Sequence, residues 1–414
     1  MKSAPSKIRK HYAIDVSQKS LDKNAFKKLQ SLDWLIQESG GAGFLFSELT
    51  LQNFLDEEYR HSKKTLTTEE EFLVNKSSGE RKKLLLDYQL NLNPPFLILD
   101  NPFEALDVER VAWFKRKLEL VSKSTTLIQL YRRHEDLLPF LNSELIYEDG
   151  IFKEVPLKVE NIKNESAELS HHPIPQAITS YENIPESLIK FENVSVSFDD
   201  KPVLSGITWE VKRGEFWHLK GPNGAGKTTL LSMISGDSTK GYGKELYIFG
   251  KKKGTGESVW EIKKRIGFFT NHLTERFDGM HTVLEMIVSG FHDSVGMYRK
   301  PTTLELAVAE EWSAFIGLKS FNTKRFRDLD EVQKRLVLIA RAMVKQPPLL
   351  ILDEPTGALN NEDAGLIVAL INKITASGQT AVIYVSHRAE TNLKFQYTFR
   401  LTASELGSTG ETIV

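Results

Sequence analysis

The sequence predicts an α/β protein made of two homologous halves, each built on a largely parallel sheet. Three observations lead there. Short apolar runs alternate with segments of helical spacing. Two stretches of chain repeat each other at a constant offset of 253 residues, so that Asp100 answers to Asp353. A glycine-rich loop joins an apolar run to a helix-like segment.

The repeat sets the order of elements. Ser77-Ser78-Gly79-Glu80-Arg81-Lys82 is followed by Pro94-Pro95 and the run Phe96–Asp100. Asp330-Glu331-Val332-Gln333-Lys334-Arg335 is followed by Pro347-Pro348 and Leu349–Asp353. Ala105-Leu106-Asp107 then matches Ala358-Leu359-Asn360, and the same register sets His134 opposite His387. The runs ending at Asp100 and Asp353, and Thr380–Ser386, read as strands buried on both faces. Glu331–Val344 and Ala364–Thr375 carry helical spacing between them. The halves are assigned to residues 1–155 and 187–414. Residues 156–186 hold four prolines and no sustained apolar period, which describes a linker of about 30 residues. His171-His172 within it reads as solvated linker, because no further ligand lies near in sequence.

Composition narrows the function. Of 414 residues, 40% are apolar and 26% charged, enough to build large cores. Lys+Arg numbers 54 against Asp+Glu 55, a balance that argues against a phosphate-backbone binder, so nucleic acid is not the expected partner. There is no cysteine, which removes disulfides, thiol catalysis and cysteine-held metals. The start of the chain carries no secretory signal and no run approaches the ~20 residues that span a bilayer. A soluble, cytoplasmic protein is expected, so that any membrane role requires a partner. Lys251-Lys252-Lys253, before Gly254, reads as a solvated turn; Trp217 reads as core.

The chemistry is concentrated in two motifs. Gly221-Pro222-Asn223-Gly224-Ala225-Gly226-Lys227-Thr228 fits the eight-residue phosphate loop, in the strand–loop–helix context that the motif requires. Glycines let backbone N–H groups converge on phosphate oxygens, and the helix N-terminus adds positive potential. Lys227 is suited to the β- and γ-phosphates and the Thr228 hydroxyl to Mg²⁺. The second motif ends the run Leu349–Asp353: Asp353 can hold Mg²⁺, and Glu354 can polarise an attacking water. His387 follows 33 residues later, at the end of another apolar run.

With these residues the sequence resembles the ATP-binding cassette (ABC) ATPases, over nearly all of 187–414 and the later part of 1–155. The resemblance rests on Gly221–Thr229, the strand ending Leu352-Asp353-Glu354-Pro355, His387, and Ser77-Ser78-Gly79-Glu80 as the family's signature. It implies phosphate-loop NTPase cassettes, each a parallel-sheet core with a helical subdomain, with ATP and Mg²⁺ as cofactors. It makes His387 the switch histidine at the γ-phosphate, and Phe198 the aromatic that stacks on adenine. Asn271 stands where the family has Gln. The family sandwiches ATP between one cassette's phosphate loop and the other's signature.

The halves have lost complementary parts. The first keeps Ser77 and Gly79 but has no phosphate loop; Gly40-Gly41-Ala42-Gly43 reads as a turn, with Phe44 where Lys would stand. It also has Asn101 in place of Glu354. The second keeps Lys227, Thr228, Asp353, Glu354 and His387, but Asp330 and Val332 replace the signature's Ser and Gly. The expectation is one ATP per chain, bound where the halves pair intramolecularly; a homodimer with exchanged halves is the alternative. The first half is shorter ahead of its signature by about 67 residues, where its phosphate loop and most of its nucleotide-binding segment would lie.

Within the family, Ser77–Glu80 and Val288–Tyr298 resemble the tandem-cassette proteins associated with molybdate transport. Three function classes stand: an ATPase subunit driving a membrane permease at the inner face of the plasma membrane, with an oxyanion such as molybdate as cargo; a soluble non-transport ATPase acting on a protein or nucleic-acid partner; and a regulatory module of slow turnover. Glu354 and His387 favour hydrolysis over the last.

Overall fold

The structure is a computed structural model. It describes residues 9–413 except 19, 69–70, 158–172, 272, 274–279, 295–298, 389 and 391. His171-His172 and Val295–Tyr298 lie outside the described residues. Contacts divide the chain into two compact units, one of Met1–Asn164 with Ala358–Asn361 and one of Glu165–Gly357 with Glu362–Val414.

The first unit runs β1 (Tyr12–Asp15), α1 (Lys23–Gln30), α2 (Asp33–Ser39), β2 (Phe44–Phe46), α3 (Glu48–His61), α4 (Ser78–Asn91), β3 (Phe96–Asp100), α5 (Val108–Val121), β4 (Thr126–Tyr131), β5 (Ser143–Glu148) and β6 (Ile151–Pro156). Its six strands lie in the order β2-β3-β4-β1-β5-β6, all neighbours parallel except the last pair. Alternate residues face opposite sides. Leu97, Leu99 and Leu127 pack beneath α4 and α5 with Leu86 and Phe114, whereas Phe96, Ile98 and Ile128 pack beneath α1 and α2 with Leu29 and Leu35.

The second unit begins with the long antiparallel hairpin β7 (Ser187–Phe198) and β8 (Lys201–Lys212). It continues through β9 (Phe216–Lys220), α6 (Lys227–Ser235), β10 (Leu246–Ile248), β11 (Lys251–Lys252), α7 (Val259–Lys264) and β12 (Ile266–Thr270). Then come α8 (Val283–Val288), α9 (Thr303–Phe315), α10 (Glu331–Met343), β13 (Leu349–Asp353), α11 (Asn361–Ala376), β14 (Ala381–Val385), β15 (Tyr397–Thr402) and β16 (Thr409–Ile413). The main sheet runs β12-β13-β14-β9-β15-β16, and β11-β10-β7-β8 form a second sheet. Trp209 joins the two sheets, stacked on Phe399 at 4.6 Å. Trp217 is core, as expected, against Trp209 and Tyr397.

The two six-stranded sheets thus share one strand order and one set of directions, with β1 in the place of β9. The 253-residue offset reaches the backbone. Asn93, Asn101 and Ala105 adopt positive φ, and so do Gln346, Glu354 and Ala358. Lys82 donates to the Glu104 carbonyl as Arg335 does to that of Gly357.

Two expectations are corrected by this register. Asp100 pairs with Leu130 and Asp353 with Val385, so the offset has grown to 255 by the last of these strands. His387 lies two residues beyond Val385. Its counterpart two residues beyond Leu130 is therefore Arg132, and His134 is displaced by the intervening insertion. The missing length of the first half is also placed differently. The strand and helix that flank a phosphate loop are both present, as β1 and α1. Between matching elements, the first unit is shorter from β1 to β2 and from β2 to α4 than the second is from β9 to β12 and from β12 to α10.

Two surface expectations also change. Lys253 is buried, its ammonium 5.1 Å from the Tyr242 ring centroid and 3.7 Å from Glu257, while Lys251 and Lys252 form β11. The described end of the linker, 173–186, is tied to the second unit rather than free. The Tyr181 hydroxyl lies 3.1 Å from the Lys264 carbonyl and 3.0 Å from that of Lys345. Among the described residues no helix is long and apolar enough to cross a membrane.

Candidate functional site

The phosphate loop, 221–226, leaves β9 at the edge of the apolar core and enters α6. Gly226 caps that helix with φ +89°, in the left-handed region. A Cβ there would also stand 2.6 Å from Leu204, so the loop is held tightly against β8. This contact ties the β7–β8 hairpin, with Phe198 at the end of its first strand, to the loop. Phe198 is 40% exposed.

Lys227 is buried and folds back on the loop, donating to the carbonyls of Gly221 at 2.8 Å and Pro222 at 3.0 Å. Asn223, Gly224 and Thr229 belong to the same loop and first helical turn. Thr228 is exposed and shares with Asp353 the wall of a cavity of about 650 Å³. A hydroxyl and a carboxylate lining one cavity are the hard oxygen donors that suit Mg²⁺. Among the described residues no group of three His, Asp or Glu could hold a metal by itself. A divalent ion here would therefore take most of its ligands from phosphate and water. Asn271, at the end of β12, lies beside Gly357: its Nδ2 is 3.3 Å from where a Cβ on that residue would stand.

Glu354 follows β13 at φ +52°, a conformation with few non-glycine occupants. The surrounding turn holds it there. Glu354 donates its N–H to the Val385 carbonyl, Arg335 from α10 donates to the carbonyls of Pro355 and Gly357, and Thr356 bonds Glu390 and the Tyr384 hydroxyl. Glu354 Oε1 accepts the His387 N–H at 3.0 Å, and the His387 ring nitrogen lies 3.6 Å from the same oxygen. Burial, reinforced by the neighbouring Asp353 charge, raises the Glu354 carboxyl to about 7; the His387 N–H and the charges of Lys227 and Arg388 limit the rise. Such a group exchanges a proton near neutrality, as a general base must. Neither Arg388 nor Arg335 carries a motif, so sequence reasoning missed both.

In the first unit the stretch 16–22 joins β1 to α1. It has no glycine, and Asp22 caps α1 by accepting the Ala25 N–H at 2.7 Å. A carboxylate thus occupies the helix end where phosphate would need positive potential. Asn101 keeps the positive φ of Glu354 without its acid.

The two signature positions are both helix caps. Ser77 caps α4: its Oγ donates to Glu80 Oε2 at 2.6 Å and accepts the Glu80 N–H at 3.4 Å. The Ser77 Oγ bond, joined by the Ser77 N–H donated to the same oxygen at 2.8 Å, holds the Glu80 carboxyl below its usual range. Asp330 caps α10 by accepting the Gln333 N–H at 2.8 Å. Asp caps a helix as well as Ser does, so the helix starts at 330 as it does at 77. Gly79 is buried under Arg110; a Cβ would lie 2.7 Å from the Arg110 Cδ.

Val288–Asp293 are used in packing. Gly290 passes so close to α10 that a Cβ would meet the Arg341 carbonyl oxygen at 2.0 Å; Arg341 donates to Ser289 Oγ at 2.9 Å, and Asp293 pairs with Lys345. Structural need accounts for these residues of the stretch without a shared substrate.

A phosphate loop, an acidic strand end and a raised glutamate beside a histidine, all carried on a parallel sheet, define a phosphate-loop NTPase. The sequence profile of the family described as "ABC transporter" matches residues 204–357. The chain is 34% identical over 327 residues to the "ABC transporter ATP-binding protein ModF" of Escherichia coli, covering 76% of this chain and 67% of that protein. It is 29% identical over 330 residues to an uncharacterized ABC transporter ATP-binding protein of Schizosaccharomyces pombe, covering 76% of this chain and 65% of that one. A shorter match, 35% identical over 191 residues, covers 46% of this chain and 54% of the "Nod factor export ATP-binding protein I" of Rhizobium meliloti. The chain spans about two thirds of the length of the first two relatives. This chain belongs to the ABC family of ATP-binding proteins and carries that family's ATPase domain.

Proposed function

We propose that this chain binds and hydrolyses Mg-ATP at one composite site. The second unit supplies the phosphate loop, Asp353, Glu354 and His387; a first unit supplies Ser77 and Gly79. The observation that carries the reading is the complementary loss. The first unit has a carboxylate-capped loop in place of a phosphate loop and Asn101 in place of a base, but an intact signature. The second has the reverse. Pairing within one chain is favoured over an exchanged dimer because a linker of about 30 residues keeps the effective concentration high.

In this reading Lys227 leaves its own loop carbonyls for the β- and γ-phosphates. Phe198 stacks on the base, and His387 contacts the γ-phosphate. Glu354 takes a proton from the attacking water. Ser77 and the N-terminus of α4 meet the γ-phosphate from the opposite side. Thr228 and Asp353, with Asn271 through water, would hold Mg²⁺, which supplies charge neutralisation on the phosphates.

The test is a pair of substitutions. Ser77→Arg is expected to abolish ATPase activity and Asp330→Ser to leave it intact; the reverse outcome removes the composite site. For the biological role we propose the ATP-binding component of a transport system at the cytoplasmic face of a membrane, with an oxyanion such as molybdate as cargo class. Support comes from the family match and the resemblance of Ser77–Glu80. Affinity purification of the Glu354→Gln protein tests the role. Recovery of a permease supports it, and recovery of a soluble partner alone favours the non-transport reading.

A further inference from the structure

Phe198 does not stand alone at the proposed base site. The Lys240 ammonium lies 4.8 Å from the centroid of its ring. Lys240 sits in a short turn, Thr239–Gly241, soon after α6. That turn is pinned: Ser238 donates its N–H to the Ser232 carbonyl on α6, the Ser238 hydroxyl accepts the Lys240 N–H at 3.2 Å, and Tyr242 donates back to Thr239. The Phe198 hairpin is pinned to the same loop through Leu204 and Gly226. Ring and ammonium are therefore both registered against the phosphate loop. Among the described residues no carboxylate lies within ion-pair distance of this ammonium, so its charge is turned to the ring.

A base entering the platform displaces the ammonium from the ring face, because base–aromatic stacking is stronger than an exposed cation–π contact. The ammonium then lies at the rim of the stacked base, on a chain long enough to follow its edge. Lysine offers three N–H donors and no acceptor. It is matched by an edge made of acceptors and mismatched by one carrying an amino group. Guanine presents O6 and N7 together, whereas adenine presents N7 beside an amino donor.

We propose that Lys240 reads the edge of the base and makes guanosine triphosphate a substrate of this site, with guanine favoured over adenine at that contact. The inference rests on Phe198 being the base platform. The experiment is steady-state hydrolysis of ATP and GTP by the full chain and by Phe198→Ala, Lys240→Met and Lys240→Arg. A lost Lys–guanine contact corresponds to about a 10-fold or greater drop in kcat/KM for GTP in Lys240→Met, with a smaller drop for ATP. Lys240→Arg should restore the GTP/ATP ratio, since arginine also pairs with O6 and N7. Equal effects on the two nucleotides in Lys240→Met, or no GTP turnover by the unaltered protein, overturn the proposal. Phe198→Ala separates the layers: if it leaves both KM values unchanged, the platform reading itself fails. If it raises both while Lys240→Met leaves the ratio fixed, only the role of Lys240 fails.

Discussion

Replacing Glu354 by Gln should do more than stop hydrolysis; it should stabilise the nucleotide-free protein at alkaline pH. Burial and Asp353 raise this carboxyl from its ordinary 4.5 to about 7. A raised acid contributes most stability while protonated. That contribution is intact below pH 4.5, declines as pH rises through the window from 4.5 to 7, and is gone above it. The span corresponds to about 3 kcal/mol at ~1.4 kcal/mol per unit, an upper figure because the side chain keeps 28% exposure. Gln has nearly the same shape and no charge to bury. At pH 8 the variant should therefore melt higher by several degrees, at roughly 2–4 °C per kcal/mol for a unit of this size. At pH 4.5 the two proteins should melt together. The assay is thermal unfolding from pH 4.5 to 8.5 without nucleotide, followed by circular dichroism. A difference that stays flat across this range would refute the argument, since it would mean that the fold does not burden the Glu354 charge.

The same group should set the pH dependence of catalysis: kcat/KM for ATP should rise with pH through a midpoint at about 7 and level off above it, and a profile flat from 5.5 to 8 would contradict a base held at that value. Lys227→Met should weaken ATP binding at least 10-fold, measured by nucleotide fluorescence, because it removes the cation that now rests on the Gly221 and Pro222 carbonyls. Gly290→Ala should destabilise the second unit by about 3 kcal/mol or more in denaturant unfolding, since the added methyl meets a backbone oxygen at 2.0 Å that no side-chain rotation can move. Tyr181→Phe removes the hydroxyl between two carbonyls and should make residues 173–186 more susceptible to limited proteolysis, with ATPase activity kept.

Much of the site was legible because its chemistry is local in sequence. The phosphate loop needs glycines and a lysine at set spacing, and Asp353 and Glu354 need only a buried strand before them. The repeat was legible for the same reason, since the Pro-Pro runs and their acidic ends lie in one ungapped register. Where the register shifted, sequence alignment failed. Two residues more between Ala358 and Ala381 than between Ala105 and Thr126 moved His134 off the place of His387, and only strand pairing revealed Arg132 there. Lys253 misled because three lysines in a row look solvated, whereas Tyr242 and Glu257 make room for one of them inside.

The sequence by itself determined the family, the α/β class, the phosphate loop and the complementary pattern of Ser77 against Asp330. Each depends on residues close along the chain, whose spacing dictates local conformation. The tertiary structure decided how charges and contacts distant in sequence combine. Burial beside Asp353 raises Glu354, His387 comes to that carboxylate from 33 residues away, Asp22 closes the helix end of the first unit, and Lys240 lies on Phe198. In the first unit the strand β1 and helix α1 flank a stretch of sequence without glycine. A parallel sheet is stabilised by its buried strands and helices, so the strand order is shared by the two units whatever the loops between them carry.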